Sequence, residues 1–184
     1  NEETVEMAEA ALWAVWLASG EDHIDELMCS GLNFMADGEL AKAAEVFAEV
    51  TQLAPSYAEG WNKRATALFL ANKFDESIAV CKRVLELNPR HFGCLSGLGI
   101  CYLRKGDQES GQRWLRAALE VNPRIQDVHR IVNDLEAQSV GAVLKPRILE
   151  VMDHLKKGSW VDGPAGQKRD VRTTWDAHRV QENE

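Results

Sequence analysis

The 184-residue chain lacks both an excess of cationic residues and any long apolar run. It has 21 Lys and Arg residues against 29 Asp and Glu residues, which gives a formal net charge of −8 at pH 7. Nonspecific binding to nucleic acids or anionic membranes requires a cationic surface. The longest uncharged apolar stretch, residues 10–18, is nine residues long, whereas a transmembrane helix needs about 20. We therefore predict no nucleic-acid partner and no transmembrane segment.

Cysteine is also scarce, and its pattern does not indicate a metal site. The four cysteines lie in helical patterns, without a secretory leader or an Asn-x-Ser/Thr sequence, so we interpret them as reduced thiols in a reducing intracellular compartment. His91, Cys94 and Cys101 are spaced at i, i+3 and i+10, but a tetrahedral site needs a fourth ligand, and free cysteine packs as a small hydrophobic residue. A disulfide between two of Cys81, Cys94 and Cys101, as in a thiol-based redox sensor, is the less favoured alternative.

Sequence signatures of catalysis and cofactor binding are missing. The chain contains no glycine-rich phosphate loop, His-Glu-x-x-His, paired Cys-x-x-Cys or nucleophile-elbow sequence. Its other histidines are scattered, and no acidic pair is arranged for general acid and base catalysis. We predict that the protein is not an enzyme and has no catalytic residue, no cofactor and no metal site.

Proline is rare, yet three of the five prolines mark an internal repeat. Pro55, Pro89 and Pro123 are 34 residues apart. On this period the chain divides without gaps into units 24–57, 58–91 and 92–125, each with two helix-period stretches separated by a polar or glycine-containing turn. Large residues recur in register, and so do small residues where helix backbones must approach closely: Leu27, Trp61 and Leu95, and Gly31, Ala65 and Gly99. This pattern indicates an all-α solenoid.

The repeat pattern resembles the tetratricopeptide repeat (TPR). The resemblance covers residues 24–125 and is clearest where Ala118 and Pro123 follow the run Leu98-Gly99-Ile100-Cys101-Tyr102. Residues 58–66 and 89–93 further resemble short TPR proteins of proteobacteria and photosynthetic eukaryotes. The resemblance implies an all-α, right-handed TPR superhelix of three helix-turn-helix repeats.

Additional elements are predicted on both sides of the repeats. Residues 1–20 predict a leading helix, and residues 126–157 a capping helix followed by a further helix that begins near Pro146. In residues 158–184 the helical pattern ends, and we hypothesise an extended tail. An ordered polar tail needs a surface to lie against, so we expect Trp160 and Trp175 to anchor it on a partner or in the protein's own groove.

In TPR domains the first helix of each repeat lines the concave groove, which holds an extended peptide or a partner helix. By position, the resemblance implies these groove residues: Asp25, Met28, Leu32, Met35, Glu59, Asn62, Lys63, Thr66, Phe69, Leu70, Ser96, Ile100, Leu103 and Arg104. They are mainly apolar, which favours a helix or an apolar segment as the occupant. An alternative is that the protein's own leading helix or C-terminal segment fills the groove, because large exposed apolar patches are rare on soluble proteins.

One class of TPR partner is not expected. TPR domains that bind the carboxylate ends of chaperone tails use Lys, Arg and Asn at fixed groove positions. This chain has Met28, Leu32, Lys63, Gly93 and Gly97 there, and one lysine cannot form such a charge-assisted clamp.

We therefore expect a protein–protein interaction scaffold that acts as an accessory subunit or assembly factor within a hetero-complex. The alternative is a transient peptide-binding adaptor or regulator. TPR proteins that this chain resembles often assist the assembly of photosynthetic or respiratory complexes in organelles. The chain begins with Asn1, so we also consider a plastid or mitochondrial protein from which a targeting segment has been removed.

Charge is distributed unevenly along the chain. Residues 1–59 contain 13 acidic residues and one basic residue, a net charge of −12, whereas residues 60–184 contain 16 acidic and 20 basic residues, a net charge of +4. We expect the acidic N-terminal end to prefer a basic partner surface.

Overall fold

The structure, a computed structural model, describes residues 18–138, and the regular elements in that range are seven α-helices with no strand. The helices are α1 Asp22–Ala36, α2 Leu40–Leu53, α3 Ala58–Leu70, α4 Phe74–Leu87, α5 Phe92–Arg104, α6 Gln108–Val121 and α7 Gln126–Gln138. The prediction of an all-α fold is thus confirmed for this range. Residues 1–17 of the predicted leading helix, the helix near Pro146 and the tail with Trp160 and Trp175 lie outside the described residues.

The helices repeat with the period of the sequence. The second helices of the repeats, α2, α4 and α6, begin at Leu40, Phe74 and Gln108, which are 34 residues apart. The helices α3, α5 and α7 begin at Ala58, Phe92 and Gln126, with the same spacing. Helix α7 therefore begins where the first helix of a fourth repeat would begin.

The turn inside each repeat has one backbone geometry. Gly38, Asn72 and Gly106 occupy equivalent positions and have φ values of 78°, 61° and 87°, in the left-handed region that glycine and asparagine tolerate best. The amide of the following residue donates to a carbonyl five residues earlier in all three turns, at 2.8, 2.9 and 3.0 Å. This arrangement ends the first helix with a Schellman motif and reverses the chain into the second helix.

Small residues let the paired helices pack closely. In the first repeat, a Cβ atom placed on Gly31 would lie 2.5 Å from Cε1 of Phe47, whose side chain is fully buried. In the third repeat, Gly99 on α5 faces the backbone carbonyl of Gly111 on α6. Sequential helix pairs packed in this way bury two core clusters, one around Phe47 and one that extends from α3 to α7.

Candidate functional site

The candidate site is the face formed by the fourteen predicted groove residues of α1, α3 and α5, which we call the inner face. Ten of them are buried: Met28, Leu32, Glu59, Asn62, Lys63, Phe69, Leu70, Ser96, Ile100 and Leu103. The other four, Asp25, Met35, Thr66 and Arg104, are partly exposed. The structure therefore brings the predicted residues onto the three first helices, but only these four positions retain more than 8% of their accessible surface. Their role in binding stays a prediction.

The burial of the inner face is most complete on α3, where five of the six inner-face residues are buried. Ala65 and Leu68 belong to the core that α3 shares with its neighbours. On the inner face, Glu59, Asn62 and Lys63 retain only 2%, 8% and 5% of their accessible surface. Because charged side chains are almost never buried without partners, the contacts of these three residues decide what the face can bind.

Glu59, Asn62, Lys63 and His91 form a buried polar cluster. The Lys63 ammonium lies 3.1 Å from Oε1 of Glu59, and Nε2 of His91 lies 2.9 Å from Oε2. The Asn62 side-chain amide donates to both oxygens, at 3.2 and 3.3 Å. Asn62 and Lys63 reach Glu59 because residues three and four apart share one side of a helix. His91, which immediately precedes α5, also reaches Glu59.

Hydrogen bonding fixes the proton on His91. The backbone N–H of Cys94 donates to Nδ1 of His91 at 3.1 Å and thereby caps α5. Nδ1 must then be the acceptor nitrogen, so a neutral His91 carries its proton on Nε2 and donates it to Glu59. With Lys63 cationic and Glu59 anionic, the polar cluster has no net charge.

Glu59 is held as a carboxylate. Burial alone would raise its pKa, but the Lys63 charge and the His91 hydrogen bond outweigh burial and lower the pKa of Glu59 from 4.5 to about 2. A carboxyl group with such a low pKa is a poor general acid or base near neutral pH. The cluster therefore holds charge in place rather than transferring protons.

The sequence reasoning named Glu59, Asn62 and Lys63 as separate groove residues and did not connect them with His91. The spacing of Glu59 and Lys63, four residues apart on one helix, was the available signal for an ion pair. His91 is 32 residues from Glu59, and only the stacking of α5 on the second repeat brings the two side chains together.

The cysteines have the environment of packing residues. Cys81, Cys94 and Cys101 are buried and free. The Cys94 thiol donates to the Cys81 carbonyl at 3.3 Å, and Cys101 donates to the Ser77 hydroxyl at 3.4 Å. Interaction with Cys81 and burial raise the pKa of Cys94 far above its usual range, and burial raises the pKa of Cys101 to about 12. Because the thiolate is the reactive form, this environment disfavours a redox sensor based on these two residues.

Two further structural features bear on ligands and membranes. Within residues 18–138, no group of three or more His, Cys, Asp or Glu side chains is arranged to hold a metal ion. In the same range, every helix is too short or too polar to cross a membrane.

Family comparisons agree with the architecture. Two family models, both described as tetratricopeptide repeat, match residues 30–92 and 68–135. A TPR repeat-containing protein of Rhizobium etli is 32% identical over 127 residues, which is 68% of this chain and 62% of that protein. The photosystem I assembly protein Ycf3 of Synechococcus is 28% identical over 50% of this chain and 58% of its own length. The chain thus spans about three fifths of both relatives.

A solved structure has the same fold. It is described as the first TPR of Spaghetti (RPAP3) bound to the HSP90 peptide SRMEEVD, and it superimposes with a TM-score of 0.61 at 18% sequence identity, over 65% of this chain and 94% of that one. The matched repeats, the 34-residue spacing of the helices and this superposition lead to one conclusion. The chain belongs to the tetratricopeptide repeat family.

Proposed function

We propose that the protein is a protein–protein interaction module that acts as an accessory subunit or assembly factor of a larger complex. The observation that carries this proposal is the distribution of exposure on the inner face. Asp25 and Met35 in the first repeat, Thr66 in the second and Arg104 in the third are partly exposed, while the other ten inner-face residues are buried. A partner segment that crosses the three first helices would therefore meet at least one accessible side chain in every repeat.

The family comparisons support this type of role. The Spaghetti domain is described as bound to a peptide, and the Synechococcus relative is described as an assembly protein. The first description names a bound peptide, and the second names the assembly of photosystem I. A permanent role in a complex and transient binding of a peptide are both compatible with this fold, and they differ in stoichiometry and lifetime.

The surface charge suggests the character of the partner. Residues 18–58 contain eight acidic residues, none of them buried, and one basic residue, Lys42. Complementary charge accelerates association and suppresses wrong partners. We therefore propose that the first repeat contacts a basic surface of the partner in a hetero-complex.

We also propose a reducing compartment inside the cell, such as a plastid or mitochondrion, because the buried cysteines are free thiols.

The proposed role is tested by affinity purification of the tagged full chain from its source organism at low and high salt. A subunit or assembly factor should retain the same partners at fixed stoichiometry, and partners of the acidic first repeat should be released as ionic strength rises. A chain that elutes alone in both conditions and binds partners only briefly would favour the adaptor. Specific retention of nucleic acid instead of protein would contradict the proposal.

A further inference from the structure

The polar cluster has the composition of a binding site for a carboxylate. Three hydrogen-bond donors of different types, from Asn62, Lys63 and His91, converge on one carboxylate at distances of 2.9 to 3.3 Å. The three donor residues are themselves 92% or more buried. They come from two helical elements, since His91 precedes α5 whereas the other two lie on α3. The carboxylate that they hold belongs to this chain.

We propose that Asn62, Lys63 and His91 form a carboxylate-binding site that Glu59 fills, and that Glu59 thereby determines the specificity of the inner face. With Glu59 in place, the cluster is neutral and its donors are engaged. A carboxylate from a partner would have to displace Glu59 or be buried beside a like charge, and both alternatives are unfavourable. The inner face therefore accepts segments that carry no carboxylate at this point and rejects acidic ones.

This specificity rests on the proposed protein-binding function, whereas the anion site can be tested without any partner. Replacing Glu59 by Ala removes Cγ and the carboxyl group, and those atoms correspond to acetate. The Glu59→Ala variant should therefore contain a cavity with three donors that acetate fits. We expect acetate to restore stability to this variant, because a ligand that binds only the folded state raises its stability.

The experiment follows thermal unfolding of the full chain by circular dichroism, in sodium acetate or in sodium chloride at equal ionic strength. Loss of the buried counterion should lower the unfolding midpoint of Glu59→Ala by roughly 10 °C. If the dissociation constant for acetate is about 10 mM, 100 mM acetate should raise that midpoint by about 4 °C relative to chloride. The unsubstituted chain should respond equally to both salts.

A double variant provides the matched control. Glu59→Ala with Lys63→Met lacks the cation but keeps the Asn62 and His91 donors, so acetate should raise its midpoint much less than that of Glu59→Ala. If Glu59→Ala is unfolded at room temperature, the same comparison uses recovery of the helical signal, which acetate but not chloride should restore. Equal effects of acetate and chloride on Glu59→Ala, or an acetate effect of undiminished size in the double variant, would overturn the anion site.

A second titration tests the specificity of the inner face. The probes are the labelled peptide SRMEEVD and the same peptide with a C-terminal amide, measured by fluorescence anisotropy. Glu59→Ala should bind the free carboxylate several-fold more tightly than the amide, whereas the unsubstituted chain should bind neither peptide with measurable affinity. An equal preference in both proteins would refute the role of Glu59 in specificity. The acetate experiment would still test the site, and affinity purification would still test protein binding.

Discussion

Two glycines on one helix offer a sharp test of the helix packing. Gly97 and Gly99 both lie on α5, two residues apart. A Cβ atom on Gly97 would meet no atom within 4 Å. A Cβ atom on Gly99 would lie 2.7 Å from Cγ of Leu115 and 3.0 Å from the carbonyl oxygen of Gly111. The carbonyl oxygen belongs to the backbone of α6, so it cannot turn away as a flexible side chain can.

The two substitutions should therefore change stability in opposite directions. Replacing a helical glycine by alanine contributes up to about 1 kcal/mol at either position, because alanine has the higher helix propensity. Overpacking adds a penalty of about 1–3 kcal/mol at Gly99 alone. We expect Gly97→Ala to stabilise the protein by about 0.5–1 kcal/mol and Gly99→Ala to destabilise it by about 1–2 kcal/mol. The difference between the variants isolates the steric penalty, since the propensity gain cancels.

Urea unfolding monitored by far-ultraviolet circular dichroism measures both free energies of unfolding. The free energies of unfolding of the two variants should differ by about 1.5–3 kcal/mol, and their dependence on urea concentration should be unchanged. Equal stabilities, or a stabilising effect of Gly99→Ala, would refute the close approach of α5 and α6 at this position.

Two further predictions concern the buried titratable groups. The pKa of Glu59 is lowered from 4.5 to about 2 in the folded state, so its contribution of about 3 kcal/mol to the free energy of unfolding is present above pH 5 and is lost as pH falls toward 2. Urea unfolding across this pH range should show a steeper loss of stability in the unsubstituted chain than in Glu59→Gln. Parallel curves of stability against pH for the two proteins would contradict the assignment. The thiol of partly exposed Cys29 should react with an aromatic disulfide reagent in the native protein, whereas three buried thiols should react only after unfolding: Cys81, Cys94 and Cys101. Rapid modification of all four thiols without denaturant would refute the burial of the cysteines.

The sequence predicted the repeats because the 34-residue period is visible in prolines and small residues, and both residue types act on the backbone near them in a simple way. Proline spacing and recurring small residues specified where helices end and where they approach. The left-handed positions in the turns were also readable at Gly38 and Gly106, where glycine is present. Asn72 adopts the same conformation with φ of 61°, and only its place in the period identifies it as an equivalent turn residue.

The burial and the side-chain contacts of the inner-face residues could not be predicted in the same way. Helical periodicity determines which residues share a face, but it does not determine how much of each side chain is accessible. Phe69 and Ile100 were predicted as groove residues and retain 4% and 1% of their accessible surface. The contact of Glu59 with His91 likewise depends on how α5 stacks on the second repeat, and no local pattern specifies that geometry.

The proposed use of the inner face has one most direct test, which compares two double variants of equal charge change. Met35→Lys with Thr66→Lys alters two partly exposed inner positions, whereas Gln52→Lys with Ala79→Lys alters two exposed positions on the second helices α2 and α4. Each tagged protein is first confirmed to fold by circular dichroism. Proteins that purify with each variant from the source organism are then quantified against the unsubstituted chain. We predict that the inner variant loses those partners and that the outer variant retains them. Retention of the same partners by both variants would contradict binding through the inner face.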